Sequence, residues 1–395
     1  MTSGLPIGRK TFVGTSAHSA ISRRAKQATK KFDILPQRLG AGLGEATRRS
    51  GAMRLLFVSL GLSLAMTAAP VAAQRFVCSG ATNSPYPQFV ATYHDHQRVA
   101  PSGRGLSDKF TAFSTVFDDA DDDDGDGQPD LRLNPEYVVY ELRGLAPGRS
   151  GNYDEPPVSI DRPNKWYASP GLVPLVEAIQ GATNRRIDDS YSGAATVWNR
   201  GHLAMSDHAQ RISPEAGCNT HVFWNASPQA ADLNQGPWLH LENYTAAASN
   251  KYRSIWVIAG PIFDPATPTL TIGDPGELKV EIPDAFFKIL IHESPSGIDT
   301  LAFIFEQPNA LGADGKPVPT QAWVNCKRAR QVGHVYDHRP NLVAIADIER
   351  RTGLKFFPDR QDRQALLSKR AREVWPVETR FWDSSAPCGG QRGHP

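Results

Sequence analysis

Two stretches decide the fold: Asn199-Arg200-Gly201-His202, and NASPQAADLNQGPWLHLE over residues 225–242. Together they hold a histidine, an arginine, a spaced set of carboxamides and one carboxylate. A neutral imidazole takes a proton from water, a guanidinium holds a phosphate through its fork of N–H groups, and an amide oxygen suits a hard cation. These are the groups that metal-assisted phosphodiester hydrolysis needs.

The local pattern predicts a strand, a second strand and a helix. Residues 194–198 are predicted as a short strand and residues 199–202 as the turn that leaves it. The β-branched and aromatic residues 220–224 predict a second strand. A helix should then start after Asp232 as its N-cap and run to about Asn250, since this stretch is rich in Leu, Ala and Glu.

These stretches, in this order, resemble the sugar-non-specific DNA/RNA endonuclease family, which has Asp-Arg-Gly-His where this chain has NRGH. The resemblance includes WNASPQ and LNQGPWLHLE, and it continues through YVVYEL, VIAGPIFD, IPDAFFKILI, LAFIFEQPN and ADIERRTGLKFF, covering roughly residues 135–360. It implies an α+β fold. The expected core is a ββα-metal (His-Me) finger with a mixed or antiparallel central sheet flanked by helices.

The resemblance also implies roles at the site. His202 would be the general base, Arg200 would hold the phosphate, and Mg²⁺ or Mn²⁺ would bind the amide oxygen of Asn234 and a shell of waters. Glu242 lies eight residues further on, about 12 Å along a helix axis, so it would hold metal-bound waters rather than the ion itself. DNA and RNA are the implied substrates, cut with little discrimination between them.

The sequence leaves the roles of four further residues open. Asn225 should either touch the scissile phosphate, orient His202, or serve only as a satisfied turn amide. A phosphate-binding arginine is expected upstream, and Arg185 and Arg186 are equal candidates. Asn199 replaces the family's usual aspartate and is expected among the substrate-binding residues. Its oxygen could still orient the neighbouring arginine or histidine without adding a charge.

Alternatives from other classes remain open. The change to Asn199 favours a degenerate nucleic-acid-binding or adhesion protein that keeps the fold and has lost the chemistry. A phosphodiesterase acting on small substrates is the second alternative. The sequence has no G-x-S-x-G elbow, P-loop or H-E-x-x-H motif, which argues against the common esterase, nucleotide-hydrolase and zincin classes.

The N-terminal part predicts export. Residues 53–73, MRLLFVSLGLSLAMTAAPVAA, have an arginine, a short apolar run and a Val-Ala-Ala ending that suits signal peptidase after Ala73. The protein should then be secreted or periplasmic, with no stable membrane anchor after cleavage. Residues 1–52 are basic and poor in acid, so Met53 is the expected true start; a long signal n-region or an organelle transit segment are the alternatives.

Cysteines and charge fit an exported chain. Cys78, Cys218, Cys326 and Cys388 all follow the cleavage point, and an even number predicts two disulfides with three possible connectivities. Removing the 11 Lys/Arg and 2 Asp/Glu of residues 1–73 from totals of 43 and 41 leaves 32 and 39, a net charge of −7. A polyanionic substrate must therefore meet a local basic groove.

Residues 74–134 are predicted as an N-terminal segment, ahead of an endonuclease domain at 135–395. The segment contains DDADDDDGDGQPD, with the pattern D-x-D-x-D-G-x-x-D. Alternating aspartates before a glycine can turn their oxygens onto one structural Ca²⁺, as in the EF-hand loops that this stretch resembles. A solvated acidic loop is the alternative; the four candidate ligands are Asp122, Asp124, Asp126 and Asp130.

Overall fold

The apolar runs of the C-terminal half form the centre of the fold. The computed structural model describes residues 75–78, 99–100, 106–118, 131–147, 153, 159–167, 181–295, 297–383 and 388, all in the unit Ala69–Pro395. The proposed signal segment and the four aspartates of the acidic loop lie outside the described residues. No described helix is long and apolar enough to cross a membrane.

Short strands precede and flank the site, and the long strands form the central sheet. The strands are β1 Phe76–Val77, β2 Val99–Ala100, β3 Leu106–Lys109, β4 Ser114–Phe117, β5 Pro135–Arg143, β6 Ile160–Asp161, β7 Trp198–His202, β8 Ala226–Ala230, β9 Ser254–Ile262, β10 Thr271–Ile272, β11 Val280–Glu281, β12 Ala285–Ser294, β13 Gly297–Glu306, β14 Asn309–Leu311, β15 Pro317–Pro319 and β16 Lys355–Phe356.

Most helices are short, and the longest follows β8. They are α1 Ile187–Ser192, α2 Ser206–Gln210, α3 Pro214–Asn219, α4 Ala231–Leu233, α5 Leu239–Tyr252, α6 Cys326–Val332, α7 Ile345–Thr352 and α8 Arg363–Ser368. Single 3₁₀ turns lie at Phe223–Asn225, Arg339–Asn341 and Thr379–Phe381, and a π-helical turn at Asn234–Trp238 joins α4 to α5.

The central sheet has the order β13-β12-β9-β5-β4-β3, with every neighbouring pair antiparallel. Because side chains alternate along a strand, β12 sends Phe286 and Leu290 into one buried cluster and Phe287 and Ile289 into another. Helix α5 covers the first face, and α7 with α8 covers the second. The predicted α+β class with an antiparallel central sheet is confirmed.

A ββα unit lies on the first face, but its boundaries differ from the prediction. Strand β7 contains residues 199–202, which pair with β8 in the register Asn199↔Gln229, so the predicted turn there is wrong. Residues 220–224 form no strand; the chain makes a 3₁₀ turn at Phe223–Asn225, and β8 starts at Ala226. Asn225, at the end of this turn, binds main-chain atoms of Ala204 and Thr220, which fixes the turn against the segment that follows β7.

The helix starts two residues earlier than predicted. Ala230 is the N-cap of α4 and makes no side-chain cap bond, while Asp232 lies in the first turn and accepts a hydrogen bond from Asn325 Nδ2 at 2.7 Å. The long-range partner therefore replaces the predicted capping role of Asp232. The helix ends at Tyr252, close to the predicted end.

Two disulfides are present, as predicted. Cys78 pairs with Cys218, and Cys326 pairs with Cys388, which selects one of the three connectivities. The first bond ties β1 to the end of α3, and the second ties α6 to the C-terminal segment. Both bonds restrict the unfolded chain and therefore stabilise the folded one.

Candidate active site

Gly201 sets how closely β7 and β8 approach each other. A Cβ at this position would lie 2.6 Å from both Cβ and Oε1 of Gln229, a buried residue on β8. A side chain at this position would therefore force the two strands apart. Strand alternation then puts Arg200 and His202 on the same side of β7.

His202 ends β7 and is held by aromatic neighbours. Trp238 Nε1 donates a hydrogen bond to the carbonyl oxygen of His202 at 3.3 Å, and the His202 ring lies 4.5 Å from that of Trp166 and 4.9 Å from that of His221. The Nε2 atom is buried and has no hydrogen-bond partner among the described residues. Trp238 is fully buried, so its ring belongs to the core.

The electrostatic surroundings keep the imidazole of His202 neutral. Burial, and to a smaller extent the charges of His221 and Arg162, lower the pKa of His202 well below its usual value. An imidazolium here would lose hydration and lie near positive charge. At neutral pH the ring therefore has a free acceptor nitrogen, which is the form that a general base requires.

Arg200 is oriented by a carboxylate that the motif does not contain. Its Nη2 lies 2.9 Å from Oδ1 of Asp188, whose side chain is only 7% exposed. The same oxygen accepts a hydrogen bond from the backbone N–H of Trp166 at 3.1 Å. Asp188 thus holds the arginine and the segment carrying Trp166 together. In this structure Asp188 orients Arg200, and the predicted role of Asn199 toward the arginine or histidine stays a prediction.

One cavity of about 450 Å³ collects most of these groups. Arg162, Trp166, Tyr191, Arg200, His202, His221, Asn199 and Asn234 all contribute to its lining. Four of them have a buried polar atom that lacks a partner within the described part of the chain: Tyr191 Oη, Arg200 Nε, His202 Nε2 and His221 Nε2. Buried polar atoms normally find a partner, so this concentration marks a ligand site.

The second arginine of the cavity is Arg162, which the sequence did not single out. Arg162 is mostly exposed and pairs with Asp207 at 3.3 Å. Arg185 and Arg186 lie at the start of α1, outside the residues that line the cavity, and Arg186 pairs with Asp189 at 3.5 Å. The one signal for Arg162 was its place in Asp-Arg-Pro-Asn-Lys-Trp, where two basic residues lie within four positions of a tryptophan.

Asn234 is placed by a distorted helical turn. Gly236 lies outside the helical region, at φ −124° and ψ −111°, and a Cβ there would collide with the carbonyl oxygen of Val324. Pro237 follows and has no N–H to continue the ordinary helical pattern. π-helical turns of this kind are frequent at functional sites.

Asn199 fixes the side chain of Asn234. Asn199 Oδ1 accepts a hydrogen bond from Asn234 Nδ2 at 3.0 Å and another from Gln235 Nε2 at 2.9 Å. The amide nitrogen of Asn234 is therefore engaged, and its Oδ1 is left without a partner among the described residues. Asn199 acts here on Asn234, and the predicted direct contact with substrate remains a prediction.

The polar groups of the cavity suit a hydrated Mg²⁺ or Mn²⁺ ion better than an ion held by several protein side chains. The described residues contain no group of three or more His, Cys, Asp or Glu side chains that could hold a metal ion. An ion at this site would instead rely on Asn234 Oδ1, a neutral hard donor, with water completing its coordination. Mg²⁺ keeps several waters in proteins and accepts such a site.

Glu242 is buried and makes an ion pair that the sequence did not predict, while its role toward metal-bound waters stays a prediction. Its carboxylate is 5% exposed, pairs with Lys288 Nζ at 3.5 Å, and is not among the groups that line the cavity. Burial raises its pKa to about 7, against the opposing effect of Lys288. Lys288 also lies 4.0 Å from the ring centre of Trp238. Glu242 thus belongs to a buried support beneath the strand of His202.

Asn225 occupies the structural one of its three expected roles. The side chain is fully buried; Oδ1 accepts from the N–H of Ala204 at 2.8 Å, and Nδ2 donates to the carbonyls of Ala204 and Thr220 at 2.9 Å. No side-chain atom is left for a phosphate. Asn225 instead fixes the segment that follows His202.

We expect Asn225→Ala to lower the free energy of unfolding by about 3 kcal/mol, because three buried main-chain partners lose their bonds. Urea denaturation measures this loss. Asn219→Ala is the matched control, since Asn219 is equally buried but makes one hydrogen bond, to Thr111 Oγ1, and should cost about 1 kcal/mol. Unchanged stability with lost turnover would instead favour phosphate contact by Asn225.

Comparison with known proteins identifies the family of this chain. The model of the family described as DNA/RNA non-specific endonuclease matches residues 131–363, more than half of the chain. The chain belongs to the DNA/RNA non-specific endonuclease family. The resemblance inferred from the motifs is therefore confirmed.

Individual relatives are named nucleases. The chain is 29% identical to mouse mitochondrial nuclease EXOG over 49% of its length and 47% of the relative's, and 30% identical to human mitochondrial endonuclease G over 45% and 54%. It is 28% identical to a nuclease of Serratia marcescens over 45% and 65%. The chain thus spans about half the length of the mitochondrial relatives it matches.

Proposed function

We propose that this protein is a metal-dependent endonuclease that hydrolyses phosphodiester bonds of both DNA and RNA. The observation that carries the proposal is a single cavity that combines the neutral, unpaired Nε2 of His202 with two arginines and the free amide oxygen of Asn234. Family membership and the names of the relatives support it.

His202 takes a proton from the attacking water as that water approaches phosphorus. Arg200, oriented by Asp188, holds the non-bridging phosphate oxygens, and Arg162 binds the phosphate from the exposed side of the cavity. Mg²⁺ or Mn²⁺ held by Asn234 Oδ1 would supply charge stabilisation at the phosphate and the leaving oxygen. Asn199 and Glu242 act indirectly: Asn199 orients Asn234, and Glu242 with Lys288 supports Trp238 beneath the strand of His202.

Poor discrimination between DNA and RNA follows from the type of contacts. Arginine, histidine and a metal ion bind phosphate, and phosphate contacts carry no sequence information. Arg162 and Arg200 line the cavity, which gives a polyanionic substrate a local positive site. The substrate is therefore recognised by its backbone.

Digestion of supercoiled plasmid and of a long RNA by the purified protein tests this proposal. We expect both to be cut with Mg²⁺ or Mn²⁺ present and neither with a chelator. Binding of nucleic acid without cleavage under any metal would favour the degenerate binding protein. Hydrolysis of bis(p-nitrophenyl) phosphate with intact polymers left uncut would favour the small-substrate phosphodiesterase.

The pH profile provides a sharper test of His202. Because its pKa is lowered, the neutral base persists as the pH falls through 6.5, so kcat/KM should decline only at lower pH. Arg162→Gln removes a positive charge near the ring, which raises the pKa of His202 and moves the acid limb to higher pH. Arg185→Gln is the control. If the acid limb of the pH profile shifts equally in both variants, Arg162 does not lower the pKa of His202.

The protein is further proposed to act outside the cytoplasm, in a secreted or periplasmic location. Two disulfides that link distant segments support an oxidising compartment. An organelle transit segment remains the alternative, because several relatives are named as mitochondrial. A structural Ca²⁺ at the acidic loop remains a prediction.

A further inference from the structure

A second cavity, of about 590 Å³, lies directly beside the catalytic cavity. Trp198 contributes to the lining of both. The segment before Trp198 forms the wall between the two cavities. Ala195 lines the catalytic cavity, whereas Ala194 and Thr196 line the second cavity. Residues 269–274 and the β14–β15 hairpin complete the second cavity. A substrate strand held at His202 therefore has this space as its immediate neighbour.

The chemistry of the two cavities differs. The catalytic cavity carries two arginines, whereas the second balances Lys279 and Lys316 against Asp274 and Asp314. Lys316 pairs with Asp274 at 3.5 Å, and Lys279 Nζ donates to the carbonyl of Asp274 at 3.2 Å. The remaining walls are aliphatic side chains and threonine hydroxyls. Such a space attracts no phosphate through net charge, but suits a flat, partly apolar group with hydrogen-bonding edges.

An unpaired hydroxyl inside the second cavity points to a ligand. Ser190 lines it, is 1% exposed, and its Oγ has no hydrogen-bond partner within the described residues. Its neighbour in α1, Tyr191, lines the catalytic cavity. Because a buried hydroxyl without a partner is costly, a bound group that donates to or accepts from Ser190 would stabilise the site.

We propose that this second cavity binds the base and sugar of a nucleotide next to the cleaved phosphodiester in single-stranded nucleic acid. The proposal rests on the nuclease function above. A base must leave its stack to enter the cavity, which costs a few kcal/mol in a duplex and much less in a single strand. The subsite should therefore favour single-stranded substrates.

Filling the cavity tests the proposal. Thr196 is exposed at the wall between the two cavities, so Thr196→Trp occupies the space with little disturbance of the core. Thr267→Trp is the matched control, because Thr267 is exposed on the neighbouring 266–269 segment but does not line the cavity. Both are made in the His202→Ala background, and fluorescence anisotropy measures binding of a labelled single-stranded 12-mer and of its duplex.

We expect Thr196→Trp to weaken binding of the single strand by about tenfold, the loss typical of one base contact. Binding of the duplex should stay within twofold, and Thr267→Trp should change neither. With His202 restored, Thr196→Trp should raise KM for single strands and leave kcat for duplex DNA unchanged. Leu311→Trp fills the cavity from the exposed hairpin and gives the same test if Thr196→Trp does not fold.

Equal affinities of the filled and control variants for the single strand would overturn the subsite. A loss that is the same for single strand and duplex would also overturn it, since the cavity would then contact only the backbone. Failure of the nuclease function gives a different result: the parent protein would cut neither substrate with Mg²⁺ or Mn²⁺. If the parent protein cleaves nucleic acid but filling the cavity changes nothing, the nuclease function holds and only the subsite is wrong.

Discussion

His202→Ala is expected to lower the rate of plasmid and RNA cleavage by about 10² to 10⁴-fold, the usual contribution of a general base. The Nε2 atom of His202 is buried and has no partner among the described residues, and the pKa of the ring lies well below its ordinary value. Removing it leaves the arginines and Asn234 in place. Binding of DNA and thermal stability should therefore change little, and single-turnover cleavage measures the chemical step directly.

His221 gives the control for this prediction. Its Nε2 is also buried without a partner among the described residues, and burial lowers its pKa to about 4. However, its Nδ1 lies 3.2 Å from the carbonyl of Gly217, which holds the ring against α3. His221→Ala should reduce the rate less than His202→Ala. Near-normal turnover of His202→Ala with an inactive His221→Ala would exchange their roles.

Asn234→Ala is expected to weaken Mn²⁺ or Mg²⁺ binding by at least tenfold, because the proposed protein donor is lost. Excess metal should then restore part of the activity. Calorimetric titration of Mn²⁺ into the His202→Ala background measures the affinity without turnover. Asn234→Asp keeps an oxygen donor and serves as the control; it should bind the ion at least as tightly as Asn234.

Asn199→Ala extends this test to the residue that orients Asn234. Loss of a supporting hydrogen bond to a metal ligand typically costs about 10 to 100-fold in affinity or activity. Unchanged Mn²⁺ affinity in both Asn234→Ala and Asn199→Ala would remove Asn234 as the ligand. Asn199→Asp keeps the acceptor and adds a charge; if only this variant cleaves nucleic acid while the natural protein is inert, the degenerate binding protein is the correct function.

The sequence by itself determined the family and predicted which residues form the candidate site. Residues 199–202 and 225–242 lie in one ββα unit, as the resemblance to the family implied, although helices α2 and α3 separate β7 from β8. His202, Arg200 and Asn234 accordingly meet in one cavity. The resemblance implied the central sheet, and the cysteine count predicted two disulfides without their connectivity. The sequence predicted the ends of strands and helices less well. Asn225 and Asp232 bind partners distant in sequence, and local propensity carries no information about those partners.

Only the tertiary structure decided which polar groups face each other. Asp188 holds Arg200, Arg162 joins the cavity, and Glu242 turns to Lys288, 46 residues away, instead of the cavity. A carboxylate or amide can satisfy its hydrogen-bonding capacity in several ways, and its partner is chosen by the packing of strands distant in sequence. Burial then sets the protonation state, as it does for His202, and burial is a property of the assembled fold.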